Sequence, residues 1–520
     1  MEQRFRVVKR SIDARQKQLK VNLTVLTDEL GNPLPKDAPI PLYETPVFQD
    51  VHHAKHSVAI IGAGPAGLFA ALTLLEHGIK PIIYERGKAV SDRKKDIAIL
   101  NRNQGLNAES NYCFGEGGAG TFSDGKLYSR SKKRGNMQRV MELFHHFGAS
   151  DSVLYEAHAH IGSDKLPSII RAMRECIIEH GGEVHFDTCV DEKLFRSLIA
   201  NHQYPLSGTQ SNNPSGAPIL ATILAIGHSA HDTYQMLFNN GVALADKGFA
   251  MGVRVEHPQA LINRLMYHDP SEELIQLIGN ASYSLVTQVQ GRGVYSFCMC
   301  PGGHIVPAGS DACGCVVNGM SASHRNSPFA NSGMVVEIRP EDLGLTLIPS
   351  LRAPHDAGVI GGLIKERVLA EGLKGLAFQQ HLEHLAYQHG GEPSIAPAQR
   401  LLDFVEGRKS KNLPACSYLP GIRSSSMHEW LPEHIGKRLQ QGFCDFNRKY
   451  RGFLTNEAVI LGVESRSSSA VRIPRDPNTL QSISTPHLYP CGEGAGYAGG
   501  ITSSALDGIN AALKVIEQGH

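Results

Sequence analysis

The chain has a single tryptophan, a formal net charge of only +1 and no uninterrupted apolar run long enough to cross a bilayer. Each shortage excludes something. The near-neutral charge removes any general electrostatic argument for nucleic acid or an anionic membrane as a partner. The opening "MEQRFRVVKRSIDARQ" lacks the apolar stretch and small-residue cleavage site of a secretory signal, so the expected location is the cytoplasm. Ten cysteines in 520 residues do not make a disulfide framework. Two close pairs, Cys298-x-Cys300 and Cys313-x-Cys315, could supply four thiolates to zinc, or could be alternate residues sharing one strand face. Zinc sites more often space their cysteines as CxxC, so free thiols and no metal are expected.

What the chain does contain is an ordinary globular composition, with 41% hydrophobic and 19% charged residues, and 53 glycines. Its length allows more than one domain. Residues 1–50 read as a short module of two strands followed by a turn-rich linker. "HSVAIIGAGPAGLFAALTLLEHGIKPIIYER" then reads as strand, glycine turn, helix and strand, the start of a doubly wound parallel sheet. Between about 140 and 190, helical stretches alternate with short strands. Asn201–Pro218 is a polar, exposed loop, and "ILATILAIG" is another buried strand. From 248 to 447 the pattern changes to strands preceding amphipathic stretches such as "IKERVLAEGL", which reads as an inserted α+β substrate domain. Residues 55–247 and 448–520 then make the two parts of one α/β domain.

Three small-residue clusters carry the chemistry. In Gly62-Ala63-Gly64-Pro65-Ala66-Gly67, the first glycine permits a tight turn, the second lets backbone approach a pyrophosphate and the third allows close helix–strand packing. The helix N-terminus offers unpaired N–H groups and a positive dipole end. Glu85 ends the second strand eighteen residues past Gly67, where a carboxylate accepts hydrogen bonds from a ribose diol. The fingerprint leaves FAD and NAD open. An NAD site would be mostly complete in the first half of such a domain, whereas the ribityl chain and isoalloxazine of FAD need residues elsewhere.

The other clusters meet that need. Gly115 to Lys126 offers backbone to a flat ring. In "YPCGEGAGYAGGITSSALDG", Glu493 follows a short strand, and in this it is similar to the many FAD proteins that carry a carboxylate at this point for a ribityl hydroxyl. Gly499, Gly500 and Ile501 open a helix whose N-terminus would stabilise charge on a reduced flavin. FAD therefore accounts for both ends of the chain.

"GEGGAGTFSDGKLYS", "AIGHSAHDT", "GVRVEHPQ", "YSFCMCPGG", "VVNGMS" and "GEGAGYAGGI" together resemble the set found in the bacterial family of FAD-dependent dehydrogenases. The resemblance runs from about Ser57 to the C-terminus and implies a glutathione-reductase-like fold with an inserted second domain. It implies FAD held by Gly62 to Gly67, Glu85 with the adjoining Arg86, Gly117, Gly118, Ala119, Gly120 and Thr121. Val190, Ala225, Gly227, Gly492, Glu493, Gly499, Gly500 and Ile501 complete that set. It does not imply a substrate. Members commonly carry a longer, ferredoxin-like N-terminal domain, of which only "VVKRSIDARQKQLKVNLTV" resembles the second half here.

For catalysis, hydride transfer asks for orientation and sometimes a base. "GVESRSSSAVRI" places Glu464, Arg466 and Arg472 in a strand-like segment, where arginines could clamp an anionic substrate or merely form surface ion pairs. Lys126 could sit near the flavin or contact phosphate. Glu256 and His257 are acid–base candidates. The basic run Arg130 to Arg134 is a solvated loop or a phosphate site. No second GxGxxG and no widely spaced cysteine pair follow Glu85, which argues against a pyridine-nucleotide disulfide reductase. The expected activity is FAD-dependent oxidation or reduction of a small organic molecule, with NAD(P)H a possible reductant. A flavin monooxygenase and a non-enzymatic flavin-bearing sensor are the alternatives.

Overall fold

The structure is a computed structural model that describes residues 6–14, 19–28, 30–32, 44–128, 135–200, 218–343, 372–391 and 394–519. The basic run 130–134, all but the last residue of the loop expected at 201–218, most of the linker and nearly all of the amphipathic stretch 364–373 lie outside them.

Ser57–Ile61 is buried at all five positions, as an apolar strand must be when both faces are covered. It pairs in parallel with Lys80–Tyr84 on one side and Ile219–Leu224 on the other. Glu183–His185 and Leu488–Pro490 extend the sheet at its two edges, giving five parallel strands. Val58 and Ile60 join a core built with Phe69, Ile170 and Ala505. Ala59 and Ile61 face the other way, toward Phe195, Tyr234 and Leu237. The helix Pro65–Glu76 lies against the C-terminal helix Ile501–Gln518 so closely that a Cβ at Gly508 would come 2.0 Å from the Ala66 carbonyl oxygen.

A second sheet has seven strands, in the order Ile422–Ser424, Ala396–Arg400, Val459–Glu464, Phe249–Pro258, Phe329–Ile338, Arg292–Cys300, Val286–Val289. All its pairings are antiparallel except that of Ala396–Arg400 with Ile422–Ser424. This alters the expected boundary at 447, which falls within the helix Glu433–Lys449. Val459–Glu464 hydrogen-bonds to Phe249–Pro258, so the chain leaves the second sheet only after Glu464. The strand-like reading of 462–473 is also divided. Arg466 follows the strand in an irregular segment, and Val471–Arg472 pairs separately with Ala245–Asp246.

At the N-terminus, Arg6–Asp13 and Lys20–Leu26 form an antiparallel hairpin. Arg10 ties it to the rest of the chain through Glu156 at 2.8 Å. No helix among the described residues is long and apolar enough to cross a membrane.

Candidate functional site

The five-strand sheet reverses its order between Ser57–Ile61 and Ile219–Leu224, and in parallel sheets ligands bind outside the C-terminal strand ends at such a reversal. A cavity of about 1160 Å³ opens there, lined by Gly62 and Gly64 on one side and by Ala225, Ile226 and Gly227 on the other. Gly62 has φ +106°, and a Cβ on it would lie 2.4 Å from the Ala225 carbonyl oxygen. Pro65 opens the following helix, whose N-terminus has no side-chain cap. The loop Gly115–Gly120 folds onto this turn: Gly117 N donates to Ala63 O at 2.8 Å, and a Cβ on Gly118 would stand 3.1 Å from Gly64 Cα.

Glu85 staples these pieces together. Its Oε2 accepts from Ala63 N at 2.9 Å, and its Oε1 accepts from Gly87 N and Gly115 N, each at 2.9 Å. The carboxylate lines the cavity, and Oε2 keeps a lone pair for a ligand hydroxyl. Arg86 beside it forks onto Glu109 and Asp232 and lies over the Phe114 ring at 4.3 Å.

The third cluster closes the opposite end. Gly492, Glu493, Gly499, Gly500 and Ile501 all line the cavity. Glu493 Oε1 sits 3.4 Å from His228 Nδ1. Gly500 precedes the helix Ile501–Gln518, again without a side-chain cap. Two helix N-termini, far apart in sequence, therefore open on one space, which favours anionic groups at both ends.

The remaining wall joins the Gly115–Lys126 segment to the second sheet. Lys126 Nζ lies 3.5 Å from Asp124, 3.9 Å from Cys298 Sγ and 3.7 Å from Cys300 Sγ. Burial opposes its ammonium, but the two sulfurs and Asp124 outweigh that and hold it protonated beyond the usual lysine range. Asp124 is buried, which would raise its pKa; Lys126 and the Arg325 fork instead hold it at about 2. Behind them the fully buried Arg254 binds Glu464 through two contacts, at 2.8 and 3.2 Å, and Asn331 at 2.7 Å.

Of the sequence-predicted residues, Val190, Ala66, Ala119, Gly120 and Lys126 also line the cavity. Ala63, Gly67, Gly117 and Thr121 lie behind its surface; Thr121 Oγ1 donates to Glu116 O at 2.8 Å, bracing the loop from within. Glu464 is not at the cavity either, because it is buried against Arg254. Arg466 reaches the wall, but its guanidinium is bound by Glu383 and Ser310. Arg472 is exposed at the rim, over the Tyr497 ring at 5.1 Å.

Glu256 accepts from Ser417, and His257 Nε2 meets Phe453 O at 2.9 Å; both lie outside the main cavity. The cysteine pairs do not converge, since Cys315 Sγ donates to Gly462 O. Sequence reasoning missed His228, Lys247, Arg325 and Tyr497 as wall residues. His228, next to Gly227, and Tyr497, next to Gly496, stand in glycine-marked stretches; Lys247 and Arg325 stand in none of the small-residue clusters.

The residues present fit a dinucleotide cofactor. The glycine cradle excludes even a methyl group at Gly62, and the cavity exceeds the roughly 300–1,000 Å³ usual for small-ligand sites. Comparison with known proteins agrees. Residues 55–110 match an FAD binding domain, residues 248–467 match the FAD-dependent protein, C-terminal domain-like family, and residues 2–27 match a domain of unknown function. A Clostridium beijerinckii protein, named only as uncharacterized, is 37% identical over 533 residues, covering 99% of this chain and 92% of its own.

Solved structures align weakly. CtdE in complex with FAD shares 11% identity over 88% of this chain and 83% of its own, with a TM-score of 0.28. Mycobacterium smegmatis Sdh1 in complex with UQ1 shares 14% over 89% and 69%, with a TM-score of 0.29.

The chain is thus a flavoprotein of mixed α/β architecture, and its cofactor is FAD. It belongs to the same FAD-dependent family as the Clostridium beijerinckii protein.

Proposed function

We propose that the protein is a FAD-dependent oxidoreductase acting on a small organic molecule between the five-strand and seven-strand sheets. The observation that carries this reading is the continuity of the cavity. It begins on the glycine turn after Ser57–Ile61 and ends on Tyr295, Cys298 and Arg325, which belong to or adjoin the second sheet. In this reading the first sheet is a doubly wound FAD domain of glutathione-reductase type. The Pro65 helix N-terminus and the Gly115–Gly120 loop take the pyrophosphate, and Glu85 Oε2 takes a ribose hydroxyl. Glu493 and His228 hold the ribityl chain, and the Ile501 helix N-terminus faces the pyrimidine edge. FAD supplies two-electron chemistry when bound. The protein's own residues bind it, hold the substrate against it and keep bulk water from the reacting face.

The test is anaerobic stopped-flow absorbance of the FAD-loaded protein with NADH and then NADPH. Rapid bleaching of the flavin band near ~450 nm supports a reductase fed by a nicotinamide cofactor. Without bleaching, reduction by a screened organic metabolite supports a dehydrogenase. Failure of every small-molecule reductant to bleach a bound flavin would overturn the reading.

A further inference from the structure

The second-sheet end of the cavity carries a feature that binding a flavin does not require. In Arg292–Cys300, three steps on one strand (Phe297 to Cys300) face two on its partner (Gly333 to Asn331), so an extra residue is inserted there as a bulge. At that bulge Cys298 takes φ +47°, a left-handed conformation that non-glycine residues rarely adopt and that clusters at functional sites. Cys298 is only partly covered and lines the cavity, while Cys300 is fully buried behind it. Both sulfurs nevertheless approach the same ammonium, at 3.9 and 3.7 Å from Lys126 Nζ. The Cys300 thiol also donates to the Cys298 carbonyl oxygen at 3.2 Å, and Arg254 reaches that same oxygen at 3.4 Å.

Elsewhere on this wall Cys113 has no second sulfur; its Sγ is used by Ala308 O and Arg466. The pair at 298 and 300 alone combines access from the cavity, a cation and a buried neighbour thiol.

We propose that Cys298 and Cys300 form a dithiol that exchanges two electrons with the bound FAD. This rests on the placement of FAD in the cavity given above. In the oxidative direction a bond forms between the two sulfurs. Cys298, as thiolate, and Cys300, as thiol, together give up two electrons and the Cys300 proton, and both electrons and the proton pass to FAD. In the reverse direction the reduced cofactor returns them, and the sulfur–sulfur bond breaks. Only Cys298 meets the cavity, so it is the sulfur that attacks a disulfide or another soft electrophile of the substrate, with Cys300 as its resolving partner. Lys126 is a positioning residue: it touches both sulfurs and stabilises the thiolate. The neighbouring groups support that assignment, since the Cys300 hydrogen bond, against burial and with Lys126 and Arg254, lowers the Cys298 pKa.

The test is a count of electrons. The air-oxidised, FAD-loaded full chain is titrated anaerobically with dithionite while the flavin band is followed. A redox-active dithiol makes the wild type take up four electrons per FAD, two at the flavin and two at the sulfurs. Cys298→Ser and Cys300→Ser should each take up two. Peptide mapping of the oxidised wild type needs no variant and should find residues 298 and 300 in one fragment lighter by two hydrogen atoms. Uptake of two electrons by the wild type, with normal flavin bleaching, overturns the dithiol while leaving the oxidoreductase reading intact. Four electrons in both serine variants overturns it as well.

Discussion

Glu85 Oε1 accepts the backbone N–H of Gly115 at 2.9 Å, and its Oε2 accepts that of Ala63 at the same distance. One buried carboxylate thus joins the glycine turn before it to a loop thirty residues after it. It is at once a staple of the fold and part of the cofactor wall.

Glu85→Gln should therefore damage both stability and FAD binding. The amide has one accepting oxygen, so its NH2 group would face a backbone N–H. Leaving a buried donor unmet costs about 1–3 kcal/mol. Thermal melts of the apoprotein and FAD binding followed by flavin fluorescence should both worsen. An unchanged melting temperature would show that the three backbone contacts are not carried by this carboxylate.

Gly62→Ala should be worse. The residue sits at φ +106°, and the new Cβ would stand 2.4 Å from the Ala225 carbonyl oxygen, a backbone atom that cannot swing aside. Overpacking costs roughly 1–3 kcal/mol before the backbone strain is counted. The purified variant should carry little FAD, measured as the ratio of flavin to protein absorbance.

His257 gives the protein a pH dependence remote from the cavity. Burial lowers its pKa from 6.5 to about 4, with the Phe453 carbonyl opposing. The folded state therefore keeps the ring neutral where the unfolded chain takes a proton. Stability from this group is complete above pH ~6.5, falls as the pH drops toward about 4 and then levels off. The loss is on the order of 3 kcal/mol. His257→Gln, which keeps a donor for Phe453 O, should flatten the urea midpoint between pH 4 and 6.5. An equal slope in both proteins would place the titrating group elsewhere.

Lys126→Met should slow alkylation of Cys298 by iodoacetamide at about pH 6 by roughly tenfold, because removing a cation a few ångströms away raises a thiol by one or more pKa units. The pH at which alkylation becomes fast should move up toward the ordinary thiol range. Lys126→Arg should retain part of the wild-type rate. A rate independent of residue 126 would separate the ammonium from the sulfur.

Much of the site was legible because its demands are local. A buried strand followed at once by Gly62, Gly64 and Gly67 states both a fold and a phosphate-binding turn, since tight turns and close approach are requirements on neighbouring residues. The same holds for Gly499, Gly500 and the helix that starts at Ile501. Glu464 was misplaced for the opposite reason. It stands beside two arginines as a catalytic candidate, yet Arg254, 210 residues earlier, pairs with it in the interior.

The amino-acid order alone thus determined the nucleotide-binding half, its cofactor and the two helix N-termini that face one space. Only the tertiary structure decided that Val459–Glu464 stays with the second sheet, that Glu85 binds Gly115, and that Cys298 and Cys300 meet a lysine 172 and 174 residues before them. Turn and strand preferences act over a few residues and can be read directly. Pairing across hundreds of residues is settled by which buried surfaces and charges find each other once the sheets have packed.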